Sequence, residues 1–244
     1  MTDDLLQKFT TDSAPGHPNT QPRDAATLIL LDRRGPSPKV LMGKRHHKLT
    51  FLPGGYVFPG GRVDPVDRKM VPGVPLDPHA EAKLMKATRR PNAAKARALA
   101  LAAVRETFEE TGLLLGTRRD DAPAAPEGPW KAFAEAKVHP DLSTMHFIAR
   151  AVTPPRRVRR YDTRFFTMDA TAIAHKIDGK VGPDAELTEL VWLPLPEIKQ
   201  HIELMVITEI VLKDLMAQID AGFSHDLPVP YYHVVHGKRV RDFL

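Results

Sequence analysis

The chain has 244 residues, 42% hydrophobic and 27% charged, with 35 Lys and Arg against 30 Asp and Glu, a net charge of +5; this suits a globular chain of one large domain or two small ones. Cysteine is absent, which excludes disulfides, thiolate nucleophiles and cysteine-ligated zinc or iron–sulfur centres. No apolar run approaches the ~18–20 residues of a membrane helix, and the N-terminus shows no basic-then-apolar signal, so a cytoplasmic protein is expected; +5 is compatible with an anionic ligand but does not by itself argue for nucleic acid.

Residues 1–23, with Pro15, Gly16, Pro18 and Pro22, read as a flexible arm. Ala25 to Leu31 has strand length, Arg33–Pro38 is a turn, and Lys39–Arg45 is the partner strand of an expected hairpin. Leu52 to Asp64 holds two Pro-Gly-Gly-like turns around Tyr56-Val57-Phe58, a short buried strand; its glycine pairs let backbone approach a ligand. Residues 65–92 look inserted. Within them Asp77-Pro78 is an N-cap with Pro at the first position, starting a helix to about Thr88.

Asn92 then caps the main helix, Ala93 onward, which Gly112 ends. A Pro- and Gly-rich connection follows Leu113-Leu114-Leu115, with a short helix over Trp130–Lys137. Met145–Val152, Tyr161–Met168 and Leu187–Leu193 read as strands, with the basic run Arg156-Arg157-Val158-Arg159-Arg160 between the first two. Pro196-Glu197 opens a short helix, Thr208–Gln218 is amphipathic with Ile210, Val211, Leu215 and Ile219 as its stripe, and a hairpin turns at Gly237. Strands interleaved with helices give an α/β (α+β) fold in one domain over 24–244.

The stretch Arg105-Glu106-Thr107-Phe108-Glu109-Glu110-Thr111-Gly112 carries the chemistry. At roughly 100° per residue, Leu101, Val104 and Phe108 share one side of the helix, and Glu106, Glu109 and Glu110 cluster on the other. Like charges at i, i+4 cost about 0.2–0.5 kcal/mol per pair, and anions near a helix C-terminus cost about 0.3–1 kcal/mol each. A divalent cation would reverse both penalties, and clustered carboxylates suit a hard metal. The competing reading is a solvated acidic face.

Taken with Phe58-Pro59-Gly60-Gly61, the run Arg105-Glu106-x-x-Glu109-Glu110-x-Gly112-Leu113 resembles the signature of the Nudix hydrolases: Gly, five residues, Glu, seven residues, then Arg-Glu-apolar-x-Glu-Glu-x-Gly-apolar. Thr107 stands at an apolar position of that pattern. About 30 residues are inserted between the two halves, and the residue eight before Arg105 is Arg97, so the motif's first Glu is unassigned, with Asp64, Asp67 and Glu81 as candidates. One branch, the coenzyme A diphosphatases of Nudix type 19, carries such an insertion and a run like Phe51-Leu52-Pro53-Gly54-Gly55-Tyr56-Val57-Phe58-Pro59-Gly60-Gly61-Arg62-Val63-Asp64. The chain ends Arg241-Asp242-Phe243-Leu244, without that branch's peroxisomal tripeptide.

The resemblance implies an α/β/α sandwich with a mixed sheet, a helical insertion over 65–92 and an extension over 203–244 holding a helix and hairpin. It implies Mg²⁺- or Mn²⁺-dependent diphosphate hydrolysis, with Glu106, Glu109, Glu110 and the Gly60 carbonyl as ligands and Arg105 orienting the carboxylates. The general base is a motif glutamate or one of Glu186 and Glu189. Candidate substrate contacts are Arg45, Gly61, Arg62, Arg157 and Arg159; the basic run is either a solvated loop or a clamp for an extra phosphate. Coenzyme A or an acyl-coenzyme A is the first substrate, with ADP-ribose or a dinucleotide such as NADH second. A non-catalytic ligand- or RNA-binding module is the reading from another class, although such modules have usually lost a motif carboxylate. The expected partners are the small nucleotide and a second copy of the chain, not a membrane or nucleic acid.

Overall fold

A computed structural model of the chain describes residues 17–49 and 52–244. Phe51 and most of the arm expected over 1–23 lie outside the described residues. In chain order the elements are β1 (Arg23–Asp32), β2 (Lys39–Arg45), β3 (Tyr56–Val57), β4 (Gly60–Arg62), a 3₁₀ turn (Pro65–Arg68), α1 (Pro78–Met85), α2 (Ala93–Thr111), β5 (Leu113–Leu115), β6 (Thr117–Arg118), α3 (Lys131–Glu135) and β7 (Val138–His139). They continue with β8 (His146–Val152), β9 (Tyr161–Asp169), β10 (Ile173–Lys176), β11 (Leu187–Pro194), α4 (Ile198–His201), α5 (Val206–Asp220), β12 (Pro230–Val235) and β13 (Lys238–Phe243).

The uniformly apolar run in β1 is explained by cover on both faces. Side chains alternate across a strand: Leu28 and Leu30 join one core with Leu99, Val104 and Phe108 of α2, while Ile29 and Leu31 join another with Ile210, Val211 and Leu215 of α5. A mixed sheet between two helical layers results, with strand order β11-β2-β1-β9-β8-β12-β13. β1 runs parallel to β9 and β8 parallel to β12, while β8 pairs antiparallel to β9.

The expected β1–β2 hairpin is present only at its closed end, Leu31↔Val40 and Asp32↔Lys39. Beyond that the two strands part. β3 takes the place beside β2, and β4 the place beside β1 through Ala25↔Arg62, Ala26↔Gly61 and Thr27↔Gly60. The Gly60-Gly61 loop therefore enters the sheet where α2 crosses it. The expected strand Tyr56–Phe58 is shorter, half-buried over Tyr56–Val57, with only Phe58 buried.

α2 is bounded as its sequence dictates: the Asn92 side chain accepts from the Lys95 N–H, and Gly112 closes the helix with φ +78°. α1 likewise starts on Asp77, whose carboxylate accepts from the His79 and Ala80 N–H groups. The inserted segment is built into the core: Met70, Leu76 and Leu84 are buried in the cluster under α2, and Lys83 Nζ donates to the carbonyls of His225 and Leu227. The helix expected over Trp130–Lys137 contracts to α3, preceded by fully buried Trp130. Among the described residues no helix is long and apolar enough to cross a membrane.

Candidate active site

Arg105 is the hub. Its side chain is 6% exposed and carries a guanidinium that must be matched. Asp67, fully buried, meets it in a fork: Nε donates to Oδ1 at 2.7 Å and Nη2 to Oδ2 at 3.0 Å. Nη1 donates to Glu106 Oε1 at 2.9 Å and also to Glu109 Oε2, and Nη2 donates to the Arg62 carbonyl at 2.8 Å. Burial works against the guanidinium charge, but the carboxylates outweigh it and hold the arginine pKa above its ordinary value.

Of the three candidates for the motif's missing acid, Asp67 is the one at this place. Asp64 caps the 3₁₀ turn by accepting from the Val66 N–H, and Asp67 Oδ2 accepts from the Asp64 N–H at 2.8 Å, a reciprocal box. Glu81 lies on α1, within the inserted segment. Asp67 thus sits at the exit of the Gly-Gly loop and reaches Arg105 without the chain between them.

Gly61 packs so close to Glu106 that a Cβ there would lie 2.5 Å from its carboxylate. A side chain at this position could be fitted only if the Glu106 carboxylate shifted. The Gly60 N–H donates to Glu110. The two halves of the split motif, more than forty residues apart, are adjacent in space. Thr107 fits its apolar position because its buried hydroxyl donates to the Ala103 carbonyl at 2.8 Å.

Glu110 is the most perturbed group of the site. Burial, then the charges of Glu186 and Glu106, push its pKa up to about 9, against the pull of the Gly60 N–H and Arg45. Its Oε2 is enclosed and has no hydrogen-bond partner among the described residues. Burial also raises Glu106, against the nearby Arg105 charge. A carboxylate oxygen enclosed without a donor needs a proton or a cation. Glu109, like Glu106, accepts from Arg105 Nη1, and among the described residues no three His, Cys, Asp or Glu side chains converge as ligands. Arg105 thus holds both Glu106 and Glu109, while Glu110 keeps an enclosed oxygen with no hydrogen-bond partner among the described residues.

The other predicted residues divide into two groups. Glu186 faces Glu110 and pairs with Arg45, whose Nη1 donates to its Oε1 at 3.1 Å. Glu189, the first residue of β11 paired after a register shift, is exposed opposite Lys44. Arg62 is exposed beside the Gly-Gly loop. Arg157 is carried away from the carboxylates and lies by Arg239 of β13, the outer strand on the far side of the sheet from β2, while Arg159 is exposed in the segment before β9. Arg160 is spent on backbone, donating to the Thr153 and Thr20 carbonyls.

Sequence reasoning missed an open cleft of about 800 Å³ beside Glu106 and Arg105, bordered by Arg23, Arg62, Arg68 and Lys95. No local pattern marks it, since it joins a strand start, a 3₁₀ turn and a helix start.

No protein-family model matches the chain. A Nudix hydrolase crystal structure from Alicyclobacillus acidocaldarius is similar at 31% identity and TM-score 0.61, over 85% of this chain and 97% of that one. The Nudix domain of Shewanella oneidensis NrtR, solved with ADP-ribose, is similar at 13% identity and TM-score 0.44, over 87% and 97%. Among curated proteins, acyl-coenzyme A diphosphatase NUDT19 of Gallus gallus is 28% identical over 59% of this chain, and the chain spans about half that relative's length (54%). With the fold, the rejoined motif and the bacterial structure in agreement, the chain belongs to the Nudix hydrolases.

Proposed function

We propose that the chain hydrolyses the diphosphate of coenzyme A or an acyl-coenzyme A, releasing 3′,5′-ADP and phosphopantetheine or its acyl form. The observation that carries a diphosphatase reading is the enclosed, unpartnered Oε2 of Glu110 beside Glu106 and the Gly60-Gly61 loop. What favours this substrate is the similarity to the chicken acyl-coenzyme A diphosphatase.

The donor set fits Mg²⁺ or Mn²⁺: carboxylate oxygens of Glu106 and Glu110 next to the Gly60 peptide, with Glu109 available if it leaves Arg105. When bound, such a cation neutralises diphosphate oxygens and makes water a better nucleophile. The chain's own residues supply the rest. Asp67 balances Arg105, and Arg105 fixes the orientation of Glu106 and Glu109. Arg45, paired with Glu186, is assigned to meet a phosphate oxygen. Glu186 takes the proton of the water that attacks phosphorus; the bond to the bridging oxygen breaks, and the leaving phosphate keeps its electron pair.

The deciding assay follows 3′,5′-ADP from coenzyme A and AMP from ADP-ribose, with Mg²⁺ and with chelator. Metal-dependent release from coenzyme A is expected. Turnover of ADP-ribose alone overturns the substrate, and turnover of neither overturns the diphosphatase reading.

A further inference from the structure

The cleft beside Glu106 has an excess of cations that the diphosphate chemistry above does not use. Arg23, at the start of β1, and Arg62 and Arg68, flanking the 3₁₀ turn, are exposed, and among the described residues none of the three makes an ion pair. The carboxylates that border the cleft are already engaged. Asp24 is held by Lys95 Nζ at 2.7 Å and by Arg164 Nη1 at 2.9 Å, Asp64 caps the turn, and Glu106 is bonded to Arg105. Lys95 itself sits in the first turn of α2, where the helix dipole disfavours a cation and where no acidic residue is present. Unpaired guanidinium groups around a concave, partly enclosed volume form a site for a polyvalent anion.

The dimensions narrow the choice. Lys95 lies about three turns along α2 from Glu106, ~16 Å at ~1.5 Å per residue, and its partner Asp24 is the neighbour of Arg23 in β1. A diphosphate at Glu106 and Glu110 would leave the cationic end one nucleoside further on. The volume, about 800 Å³, is that of a site for a nucleotide-sized group.

We infer that this cleft is a phosphate-binding subsite, which takes a phosphomonoester carried on the nucleoside half of the diphosphate substrate and selects substrates that bear one. The inference rests on the diphosphatase reading above and adds the feature by which substrates are told apart. It assigns to Arg23, Arg62, Arg68 and Lys95 the role that the sequence had offered to Arg157 and Arg159.

The test compares coenzyme A with dephospho-coenzyme A, which differ only in the 3′-phosphate, on the full chain with Mg²⁺. The parent is expected to favour coenzyme A by about tenfold or more in kcat/KM, the worth of one charge-assisted contact. In Arg23→Ala/Arg68→Ala that ratio falls toward one, through KM, with Arg68→Glu as a second variant and thermal melting to verify folding. Equal kcat/KM for the two substrates in the parent, or a ratio unmoved in the variants, overturns the subsite and leaves the diphosphatase reading intact. If the parent hydrolyses neither, that reading fails, and calorimetry with adenosine 3′,5′-bisphosphate, AMP and inorganic phosphate decides the subsite without turnover. Arginine-dependent preference for the bisphosphate supports it, and equal binding of bisphosphate and AMP, or binding of phosphate alone, overturns it.

Discussion

Asp67 and Arg105, 38 residues apart, meet in a two-bond fork with both side chains out of solvent. Removing one partner leaves a buried uncompensated charge, which costs about 3–5 kcal/mol. Asp67→Ala should therefore lower Tm by roughly 10 °C, at ~2–4 °C per kcal/mol for a chain of this size. Adding Arg105→Met should restore part of it, because the orphaned cation is then gone. Additive losses in the double variant, measured by thermal melting, would show that the pair is not coupled.

If the proposed metal site holds, Glu110 links pH to metal binding. Its folded pKa, about 9, lies above the ordinary 4.5. The folded chain therefore holds a proton that the unfolded chain releases, and metal-free stability should fall as pH rises from about 4.5 to about 9. At ~1.4 kcal/mol per unit the full effect is several kcal/mol. Mg²⁺ bound as proposed would displace the proton, so the gain in Tm on adding Mg²⁺ should widen between pH 6 and pH 9. Glu110→Gln should abolish that widening and lower turnover by about 10²–10⁴-fold. A gain that is the same at both pH values in the parent would refute the linkage.

Gly61 has no room for a methyl group. Gly61→Ala should push the Glu106 carboxylate off its position, at a cost of about 1–3 kcal/mol and with kcat reduced more than KM is raised. Parent-like kinetics in this variant would mean that Glu106 has freedom the packing does not show.

Glu186 and Glu189 separate by position. Glu186→Gln should lower kcat by about 10²–10⁴-fold and remove the acidic limb of the pH–rate profile. Glu189→Gln should cost less, because Glu186 is the one whose charge acts on Glu110, while Glu189 stands opposite Lys44. The reverse order in steady-state kinetics would move the base to Glu189.

Much of this site was legible before the fold. Asn92 and Gly112 bound α2 through capping chemistry, and Gly60-Gly61 with Arg105–Gly112 marks both halves of the motif. What sequence left open depends on distant pairing. Asp64, Asp67 and Glu81 are equivalent acids until one is placed against Arg105. Glu186 and Glu189 cannot be told apart by strand alternation, because the register shifts between Leu187 and Glu189. The β5–β10 pair was missed since Ile173–Lys176 has no alternation and gains its place only by pairing with Leu113–Leu115. The basic run misled because charge density is visible in sequence, whereas convergence of single cations from three elements is not.

The parallel union of β1 with β9 also has a consequence for synthesis. Thr167 Oγ1 bonds the Ile29 carbonyl across 138 residues of chain, and the helix covering Ile29 and Leu31 comes later still. At a ribosomal rate of ~5–20 residues per second, Leu28–Leu31 emerge on the order of ten seconds before their partner strand exists. Over that interval β2, β4 and α2 can engage β1, but the β9 edge and the face of Ile29 and Leu31 wait for their cover, so the half-made sheet presents apolar surface that favours association until the rest of the chain arrives.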